Sequence, residues 1–405
     1  MFDRQAFTGL KVLEVSRVLA SPFAGYQLAL LGAEVIKIED PRRGDQIRYR
    51  LYNRPDLSRS GMATAFLSQN ANKKSLTLNL RAPEGQEIFK EMARSADVVI
   101  ENLRAGTMAR YGLGYDDLRA LNPRLVYCSV TGYGQTGSKR HHPSYDPVAQ
   151  AASGMMSFNG TPETAPQKVG APVTNYATGL SAVCGIAIAL FQREQTGRGQ
   201  HVDVSMLDAA LTLMGSIVTD VLTAGRAPKP SGNKNRSAEN YTNGTFSCAD
   251  GLLAIAAQEP HQRERLWVTI GRPDIMHDER FATPEVCASN IDALHRELEL
   301  ALAARPAQEW EPLLNDAGVP AMRVRTLPEV LDEDFVKQRG FLHTFEKIEG
   351  IEGKVTIPLA PYKLSDGPAR ASSPPPFLGQ HTAEVLETLG LSHERVAELR
   401  KHGVI

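Results

Sequence analysis

Asn175 is the polar residue whose position most suggests chemistry. It ends an irregular run that begins near Gly170, and it precedes Thr178, which the pattern predicts as a helix N-cap. Residues 180–191 are almost wholly apolar and predict a buried helix. A polar side chain just before a buried helix N-terminus lies beside unpaired N–H donors and a partial positive charge, so it could hold a reacting group or an acyl oxygen. In the alternative interpretation, Asn175 only completes the turn.

Basic side chains near predicted strand ends could serve a phosphorylated ligand. Each alone is typical of a solvated surface residue, but together they could neutralise phosphate groups at one edge of a sheet. The residues are Arg17, Arg42, Arg43, Lys73, Lys74, Arg104 and Arg110. The glycine-rich run at 131–137 either lets an acyl group approach the backbone closely or forms a mobile turn.

Several cofactor and metal classes lack their sequence signatures. The first predicted β–α turn, residues 15–22, has no GxGxxG, so a nicotinamide dinucleotide has no fingerprint here. The run at 131–137 is not followed by the Lys-Ser/Thr of a phosphate-binding loop. His141 and His142 are adjacent and cannot face one site, and no HExxH, Cys/His spacing or GxSxG occurs. We therefore expect neither a bound metal nor serine hydrolase chemistry.

The composition is typical of a folded chain without a nucleic-acid or membrane partner. The formal net charge is −1 and there is no basic stripe, so no nucleic acid is expected. The N-terminus lacks the apolar segment of a signal peptide, and the longest apolar run, 180–191, is too short to cross a bilayer. The cysteines are far apart, which fits a reducing cytoplasm: Cys128, Cys184, Cys248 and Cys287. We predict a cytoplasmic protein.

The elements that must position these residues alternate between strand and helix. Helices are predicted at 23–31, after a Ser21–Pro22 start, from Pro83 onward, and at 115–121. Short β-rich runs predict strands at 11–15, 34–39, 75–80, 97–101 and 125–130. This alternation implies a parallel sheet with helices on both faces, and ligands bind beyond the carboxyl ends of such strands.

The second half of the chain changes in character after a Gly/Pro-rich linker. Before the linker we predict a strand at 201–205 and a helix at 206–217. After it, Asp250–Gly251 predicts a hairpin with strands at 244–248 and 252–257, then helices at 262–270, 290–304 and 307–317. The extended chain from 341 and short helices at 381–389 and 393–401 should pack back on the first domain. The predicted division is 1–223 for the N-terminal part of a large domain, 224–240 for a linker, 241–330 for a small α+β domain, and 331–405 for a return linker and the rest of the large domain.

Eight motifs in the same order resemble family III CoA-transferases, the group that includes formyl-CoA and L-carnitine CoA-transferases. The resemblance covers nearly the whole length, and the residues that carry it are LKVLEVSRVLASP at 10–22, LGAEVIKIE at 31–39, NKKSLTL at 72–78, DVVIEN at 97–102, GYGQTG at 132–137, YDPVAQA at 145–151, QTGRGQ at 195–200 and DVSMLD at 203–208. The resemblance implies an α/β fold in which both chain ends build a Rossmann-like large domain, with a smaller α+β domain between them. It also implies an interlocked homodimer.

The resemblance further implies that CoA, as part of an acyl-CoA substrate, binds between the two domains. Arg110 would face a CoA phosphate, since a guanidinium suits paired oxygens. Two positions depart from the family. Asp40 stands where an arginine often stacks on adenine, and Leu19 stands where formyl-CoA transferase has a glutamine, which argues against the same small polar substrate. The CoA contacts carried over by motif are Val18, Leu19, Ala20, Lys74, Leu78, Asn102, Leu103 and Arg110.

The larger departure from the family is Asn175 itself. The family pattern Pro-x-x-Asp-x-x-Thr-Gly has a nucleophilic aspartate here, which attacks the acyl-CoA carbonyl, forms a mixed anhydride and releases CoA thiolate. Asn175 can donate a hydrogen bond to an acyl oxygen but cannot form that anhydride, so we expect this polypeptide to be impaired. The asparagine is either an introduced trapping substitution or the mark of a natural protein that has abandoned transfer. Asp146, a second carboxylate near the predicted site, is expected to make a structural hydrogen bond.

These observations leave three functional hypotheses. The first is a CoA-transferase that acts on an acyl-CoA and a small carboxylic acid, with Asn175, Tyr145 and Asp146 at the catalytic centre. The second is an acyl-CoA racemase or isomerase on the same fold, which ranks lower because those relatives carry a histidine base where Tyr145 stands. The third is a non-catalytic acyl-CoA-binding protein.

Overall fold

A six-stranded parallel sheet is the centre of the larger of two compact units. The structure, a computed structural model, describes residues 4–50, 54–235 and 240–405. The larger unit is drawn from residues 1–153, 170–219 and 337–405, and the smaller unit from 154–169 and 220–336. The sequence-based division placed 154–169 in the large domain. The structure groups them with the smaller unit, where the Gly232 N–H donates to the Gly160 carbonyl at 2.8 Å.

The strands of the sheet follow the predicted alternation closely. In spatial order they run β3-β2-β1-β4-β5-β6, and every neighbouring pair is parallel. Strands β1, β2 and β6 have the predicted bounds, whereas β3 begins two residues earlier than predicted and ends at Thr77. The bounds are β1 Lys11–Val15, β2 Glu34–Glu39, β3 Lys73–Thr77, β4 Val98–Glu101, β5 Val126–Thr131 and β6 His201–Ser205.

Helices cover both faces of this sheet, as a buried parallel sheet requires. One face packs on α1 and α8, and the other on α4, α6 and the two C-terminal helices. The first nine helices are α1 Ala20–Leu30, α2 Pro55–Arg59, α3 Thr64–Leu67, α4 Pro83–Ser95, α5 Thr107–Arg110, α6 Tyr115–Leu121, α7 Asp146–Ala152, α8 Val173–Thr196 and α9 Met206–Leu213. Residues 46–49 and 155–158 form 3-10 turns.

Two helices that pack on the large sheet begin earlier than predicted. Helix α1 begins at Ala20, so Ser21 and Pro22 lie inside its first turn, where a proline costs no helical hydrogen bond. Helix α8 begins at Val173, so Thr178 is an interior residue and not an N-cap. Its hydroxyl donates to the Thr174 carbonyl one turn back, which lets the helix continue through it.

Helix α8 is not buried on all sides, which corrects the expectation from its apolar sequence. Leu180, Ile188 and Phe191 are exposed by 44%, 60% and 70%. The helix spans 24 residues and extends beyond the apolar run 180–191 at both ends. The expectation that this segment is too short to span a bilayer is therefore wrong. By length and composition α8 could cross a membrane, although core helices of soluble proteins meet the same criteria, and the bent pair of α9 and the next helix meets them only if counted as one span.

The smaller unit is an antiparallel sheet packed on helices. Strands β7 and β8 form the predicted hairpin around Gly251, whose φ is +79°, and β9 pairs with β8. The predicted helix at 206–217 is broken at Met214, so that α10 follows α9 as a separate helix. The elements after α9 are α10 Gly215–Ala224, β7 Gly244–Ser247, β8 Leu252–Ile255, α11 Pro260–Thr269, α12 Pro284–Ser289, α13 Ile291–Leu302, α14 Ala307–Asp316, β9 Ala321–Arg323 and α15 Leu327–Asp332. Two 3-10 turns lie at 273–277 and 279–281. Part of the predicted linker, 236–239, lies outside the described residues.

The C-terminal segment packs back on the large sheet, as the sequence predicted. The Thr382 hydroxyl accepts from the Thr77 N–H at 3.0 Å, and the Asn79 N–H donates to the Val404 carbonyl at 2.7 Å. Apolar side chains of the two last helices complete the core beside β3 and α4. The segment comprises α16 Asp334–Arg339, which begins in the smaller unit, β10 Leu342–Phe345, β11 Val355–Pro358, α17 Thr382–Thr388 and α18 His393–Lys401.

Candidate functional site

Asn175 lies in the first turn of α8, where Asp146 holds it. One oxygen of the Asp146 carboxylate, Oδ2, accepts from the Asn175 backbone N–H at 3.0 Å and from the Thr174 hydroxyl at 2.7 Å. The Asn175 side-chain Nδ2 lies 3.5 Å from the same oxygen. The other oxygen, Oδ1, accepts from Gln150 Nε2 at 2.5 Å. Asp146 therefore caps α8 and orients residue 175, which is the structural role that the sequence favoured.

Asn175 opens into a pocket of about 290 Å³, which we call the Asn175 pocket. Its wall contains the turn after β1, the loop after β4 and the segment before α7. Seven of the predicted site residues meet here: Val18, Leu19, Ala20, Asn102, Leu103, Tyr145 and Asn175. Asp146 lies directly behind this wall and is only 7% exposed. Residues far apart in the sequence therefore form one site at the carboxyl edge of the sheet.

A second pocket of about 380 Å³, the Arg110 pocket, lies beside the first. The two pockets share Arg17, Leu103 and Arg104, so they adjoin each other, and we call the pair the groove. The Arg110 pocket also contains the predicted residues Leu78 and Arg110. Two adjoining pockets could receive two parts of one long ligand.

Four arginines give the Arg110 pocket its positive charge: Arg17, Arg81, Arg104 and Arg110. Its three carboxylates are each bound to another cation, since Glu39 pairs with Arg48, Asp40 with Arg42 and Asp45 with Lys37. Within the described part of the chain, none of the four pocket arginines forms an ion pair. Their guanidinium groups are thus available to an anionic ligand, and phosphate oxygens match that geometry.

The structure does not bring every predicted cation to this groove. Lys74 lies outside both pockets and pairs with Glu34 at 2.8 Å and Glu384 at 2.9 Å, so two carboxylates already neutralise it. Lys73 is fully buried and pairs with Glu14 at 2.8 Å. Burial is the main cause that lowers the pKa of Lys73 to about 8. Both lysines hold the fold, and β3 brings neither of them to the groove.

The turn after β1 is held by side chains in place of glycines. Asn102 accepts from the Arg17 N–H through Oδ1 at 2.9 Å, and its Nδ2 donates to the Arg17 carbonyl at 2.7 Å. Both ends of its amide are occupied, so the Asn102 side chain fixes the turn. The sequence identified the position but not this role.

The sequence did not single out several residues of the Asn175 pocket. Arg140, His142 and Ser144 line it, and so does Thr131, which the sequence marked only as the start of the run 131–137. The Thr131 and Ser144 hydroxyl oxygens are buried and have no hydrogen-bond partner among the described residues. The glycine-rich run at 131–137, interpreted from the sequence as either a close backbone approach or a mobile turn, was the one available signal. Nothing in the spacing of Arg140 or His142 marked them as pocket residues.

No group of three His, Cys, Asp or Glu side chains suited to a metal ion occurs within residues 4–50, 54–235 and 240–405.

Glu101, at the end of β4, is a titratable group with an unusual environment near the site. Burial, assisted by the charge of Asp203, raises the pKa of Glu101 to about 7. Its carboxylate accepts from the Leu103 N–H at 2.8 Å, which connects it to the loop that both pockets share.

Comparison with known proteins finds relatives over nearly the whole chain. Residues 7–382 match the family model described as CoA-transferase family III. The chain is 34% identical to the succinyl-CoA:glutarate CoA-transferase of Mus musculus over 98% of this chain and 89% of that protein. It is 37% identical to the acetyl-CoA:oxalate CoA-transferase of Acetobacter aceti over 89% of each chain. The crystal structure of a CAIB/BAIF family protein from Brucella suis superposes with a TM-score of 0.82 at 33% identity, over 95% of this chain and all of that one. The chain belongs to CoA-transferase family III.

Proposed function

We propose that this protein is built to move CoA from an acyl-CoA thioester to a small carboxylic acid, with residue 175 at the reacting centre. The observation that carries the proposal is the pair of adjoining pockets, in which Asn175 lies at one end, Arg81 and Arg110 lie at the other, and Arg17 and Arg104 line both. Such an arrangement fits a thioester beside residue 175 and the CoA phosphates beside Arg110. The partial positive charge at the start of α8 would stabilise negative charge at the reacting carbonyl.

A carboxylate at position 175 would carry the reaction in balanced steps. Its oxygen attacks the thioester carbonyl, the C–S bond breaks, and an anhydride and CoA thiolate form. The thiolate then attacks the side-chain carbonyl of residue 175, which expels the donor acid and leaves an enzyme thioester. The acceptor carboxylate attacks that thioester, which forms a second anhydride and releases the thiolate. The thiolate then attacks the acceptor carbonyl carbon of this anhydride. The products are the CoA thioester of the acceptor and the restored carboxylate at 175.

Asn175 cannot perform the first of these steps, because its amide oxygen is neutral and a poor nucleophile. Asp146 does not replace it in our proposal, since its two oxygens are occupied by three donors and lie behind the pocket wall. We therefore propose that the chain with Asn175 binds acyl-CoA but transfers CoA very slowly. In this proposal Asn175 slows the chemical step, while the groove still binds acyl-CoA.

The names of the relatives guide the choice of substrates. The mouse relative is named for succinyl-CoA and glutarate, and the Acetobacter relative for acetyl-CoA and oxalate. We propose succinyl-CoA or acetyl-CoA as the donor and a small acid of this kind as the acceptor. Arg140 and His142 beside Asn175 would favour an anionic acceptor.

The decisive experiment restores the nucleophile with Asn175→Asp. We expect this variant to transfer CoA from succinyl-CoA or acetyl-CoA to at least one member of a panel of small mono- and dicarboxylic acids. Mass spectrometry of the variant with acyl-CoA should find a hydroxylamine-sensitive adduct on residue 175. Asn175→Ala is the matched control, because it alters the same position without supplying a carboxylate. No transfer from any donor across the panel would overturn the proposal.

Asn175 also favours a second candidate, an acyl-CoA-binding protein without turnover. Calorimetric titration of the unaltered protein with CoA and succinyl-CoA, together with a transfer assay of Asn175→Asp, separates the two. Binding without any transfer in the variant would support the second candidate. A racemase has less support, because Tyr145 lines the pocket where a base would be needed; exchange of an α-proton with deuterated water would revive it.

We further propose a homodimer, interlocked as the family resemblance implies. Support comes from an apolar stripe on α8, formed by side chains three or four residues apart: Leu180, Cys184, Ile188 and Phe191. Monomeric proteins seldom leave such a continuous stripe in water. The cytoplasmic location stays a prediction.

A further inference from the structure

Val18 has a backbone conformation that its side chain disfavours. Its φ is +72°, in the left-handed region, where a β-branched side chain is strained. The other non-glycine residue with positive φ in the described part of the chain is Asn72, a type that tolerates this region. Such a strained conformation persists only where surrounding groups impose it.

Two buried side chains impose the conformation of Val18. The Val18 N–H donates to both oxygens of the Asp45 carboxylate, at 3.1 and 3.2 Å. The Val18 carbonyl accepts from Gln69 Nε2 at 2.7 Å. Asp45 and Gln69 are each 1% exposed. Both polar groups of one peptide backbone position are therefore held from opposite sides by groups that water does not screen.

The Asp45 carboxylate is itself fixed. Lys37 Nζ lies 3.1 Å from its Oδ2, and the same ammonium donates to the Ser16 carbonyl at 2.9 Å. The Asp45 Oδ1 also accepts from the Ile47 N–H at 3.1 Å, and the Asp45 N–H donates to Glu39 Oε1 at 3.0 Å. Asp45 cannot move without breaking several buried contacts, so it is a rigid support for the turn.

The conformation of Val18 sets the path of the next two residues. Val18, Leu19 and Ala20 are consecutive wall residues of the Asn175 pocket. If Val18 relaxed to a negative φ, the direction of the chain at residues 19 and 20 would change. Glycine-rich nucleotide turns avoid this problem by using residues without a Cβ. This turn has no glycine, so side-chain contacts must do the same task.

We propose that Asp45 and Gln69 are positioning residues for acyl-CoA: they hold Val18 in the left-handed conformation and so set the wall of the Asn175 pocket. The inference rests on the proposed function, because acyl-CoA is the ligand that the wall would receive. It predicts that Gln69 contributes little to CoA binding when residue 18 is a glycine, because glycine adopts the left-handed conformation without strain.

The test is a double-mutant cycle with Gln69→Met and Val18→Gly, read by calorimetric titration with CoA. Methionine keeps the length of Gln69 and removes the donor. In the Val18 background, Gln69→Met should weaken CoA binding by about tenfold, the value of one buried hydrogen bond of ordinary strength. In the Val18→Gly background, the same change should cost less than about threefold, because glycine adopts positive φ without strain. An equal loss in both backgrounds would overturn the proposal.

Gln27→Met is the matched control. Gln27 lies in α1, is 1% exposed, and neither polar atom of its amide has a partner among the described residues. Its replacement removes an equally buried amide without touching the turn, so CoA affinity should stay unchanged. A tenfold loss in this control would show that any core change disturbs the pocket, which contradicts a specific role for Gln69.

A ligand-free crystal structure of Gln69→Met separates this inference from the proposed function. We expect residue 18 to move to a negative φ there. If unaltered protein binds no CoA, the proposed function fails, and the φ of Val18 in the variant still decides the positioning role. Retention of a positive φ without Gln69 would contradict it.

Discussion

At the scale of single residues, the site depends on which carboxylates and cations are already paired. Glu39, Asp40 and Asp45 line the Arg110 pocket and would repel a phosphate, but each is bound to a cation outside that pocket's arginine set. Burial alone would raise the pKa of Glu39, but Arg48 and Lys37 outweigh burial and lower this pKa to about 2. These carboxylates therefore do not neutralise the pocket arginines, which can pair with an anionic ligand.

Removal of one pocket arginine should weaken CoA binding specifically. We expect Arg110→Ala to raise the Kd for CoA by roughly 10–100-fold, the loss of one charge-assisted contact, because Arg110 lines the phosphate end of the groove. Pantetheine, which lacks the nucleotide phosphates, should bind equally well to both proteins. Arg119→Ala, an exposed arginine on α6 outside both pockets, is the control. Equal weakening of CoA and pantetheine would contradict a phosphate contact.

Glu101 should make stability depend on pH. Its pKa, about 7 in the folded protein, is higher than in the unfolded chain, so the folded state binds the proton more tightly. This contribution is complete at low pH and is lost as pH rises through about 7. From about pH 5 to about pH 8, unaltered protein should lose roughly 2–3 kcal/mol of unfolding free energy relative to Glu101→Gln. Urea unfolding at both pH values measures it.

The control for this experiment is Glu91→Gln, since Glu91 is exposed and pairs only with Arg94 among the described residues. Its stability difference from unaltered protein should not change between the two pH values. A flat profile for Glu101→Gln relative to unaltered protein would show that Glu101 titrates normally.

The site residues differ in how far sequence could identify them. Asn175, Tyr145, Leu103 and Arg110 come from local motifs, and the fold brings each to the groove. Lys74 carries an equally clear motif, yet Glu34 and Glu384 neutralise it. Whether Lys74 is already paired depends on residues distant in the chain, because the tertiary structure, and not the spacing in the sequence, brings Glu34 and Glu384 to it.

At the scale of elements, the junction of α1 and α8 positions the groove. Helix α1 begins at Ala20, a wall residue, and α8 begins two residues before Asn175. The helices approach closely at Gly179, where a Cβ would lie 2.6 Å from the Ala20 carbonyl oxygen and 2.8 Å from Phe23 Cδ1. A glycine inside a long apolar helix is thus explained by packing.

A side chain at Gly179 should disturb both packing and binding. We expect Gly179→Ala to destabilise the protein by about 1–3 kcal/mol, because backbone atoms would have to move. Affinity for CoA should fall as well, since Ala20 would shift. Chemical unfolding and calorimetric titration measure the two effects. Gly215→Ala, at a helical glycine with open space around its Cβ position, should be neutral or stabilising. Unchanged stability in Gly179→Ala would show that the helices separate without cost.

At the scale of the whole molecule, the larger unit has a sheet covered by helices on both faces and an exposed apolar stripe on α8. The stripe on α8 faces away from the core that Ala182, Ile186 and Ala189 build on the same helix. A helix apolar on two opposite sides needs two partners. Within this chain the sheet and α1 supply one, and the proposed second subunit supplies the other.

A charge on the stripe should prevent subunit association. We expect Phe191→Glu to convert a dimer into monomers or aggregates, as measured by light scattering after size exclusion, because burial of a carboxylate in an apolar interface is costly. Leu300→Glu is the control: Leu300 is also 70% exposed but lies on α13 of the smaller unit. If unaltered protein is monomeric, or if Phe191→Glu stays dimeric, the stripe is not the interface.

The sequence alone determined the alternation of strands and helices, the hairpin of the smaller unit and the position of Asn175 among family motifs. These features depend on local periodicity, turn residues and neighbours in the chain. Only the tertiary structure decided that Asp146 holds residue 175, that Lys73 and Lys74 are neutralised, that Val18 is strained and that α8 keeps an exposed apolar side. Each of these depends on groups that sheet register brings together from distant parts of the chain, and no local pattern records such distances.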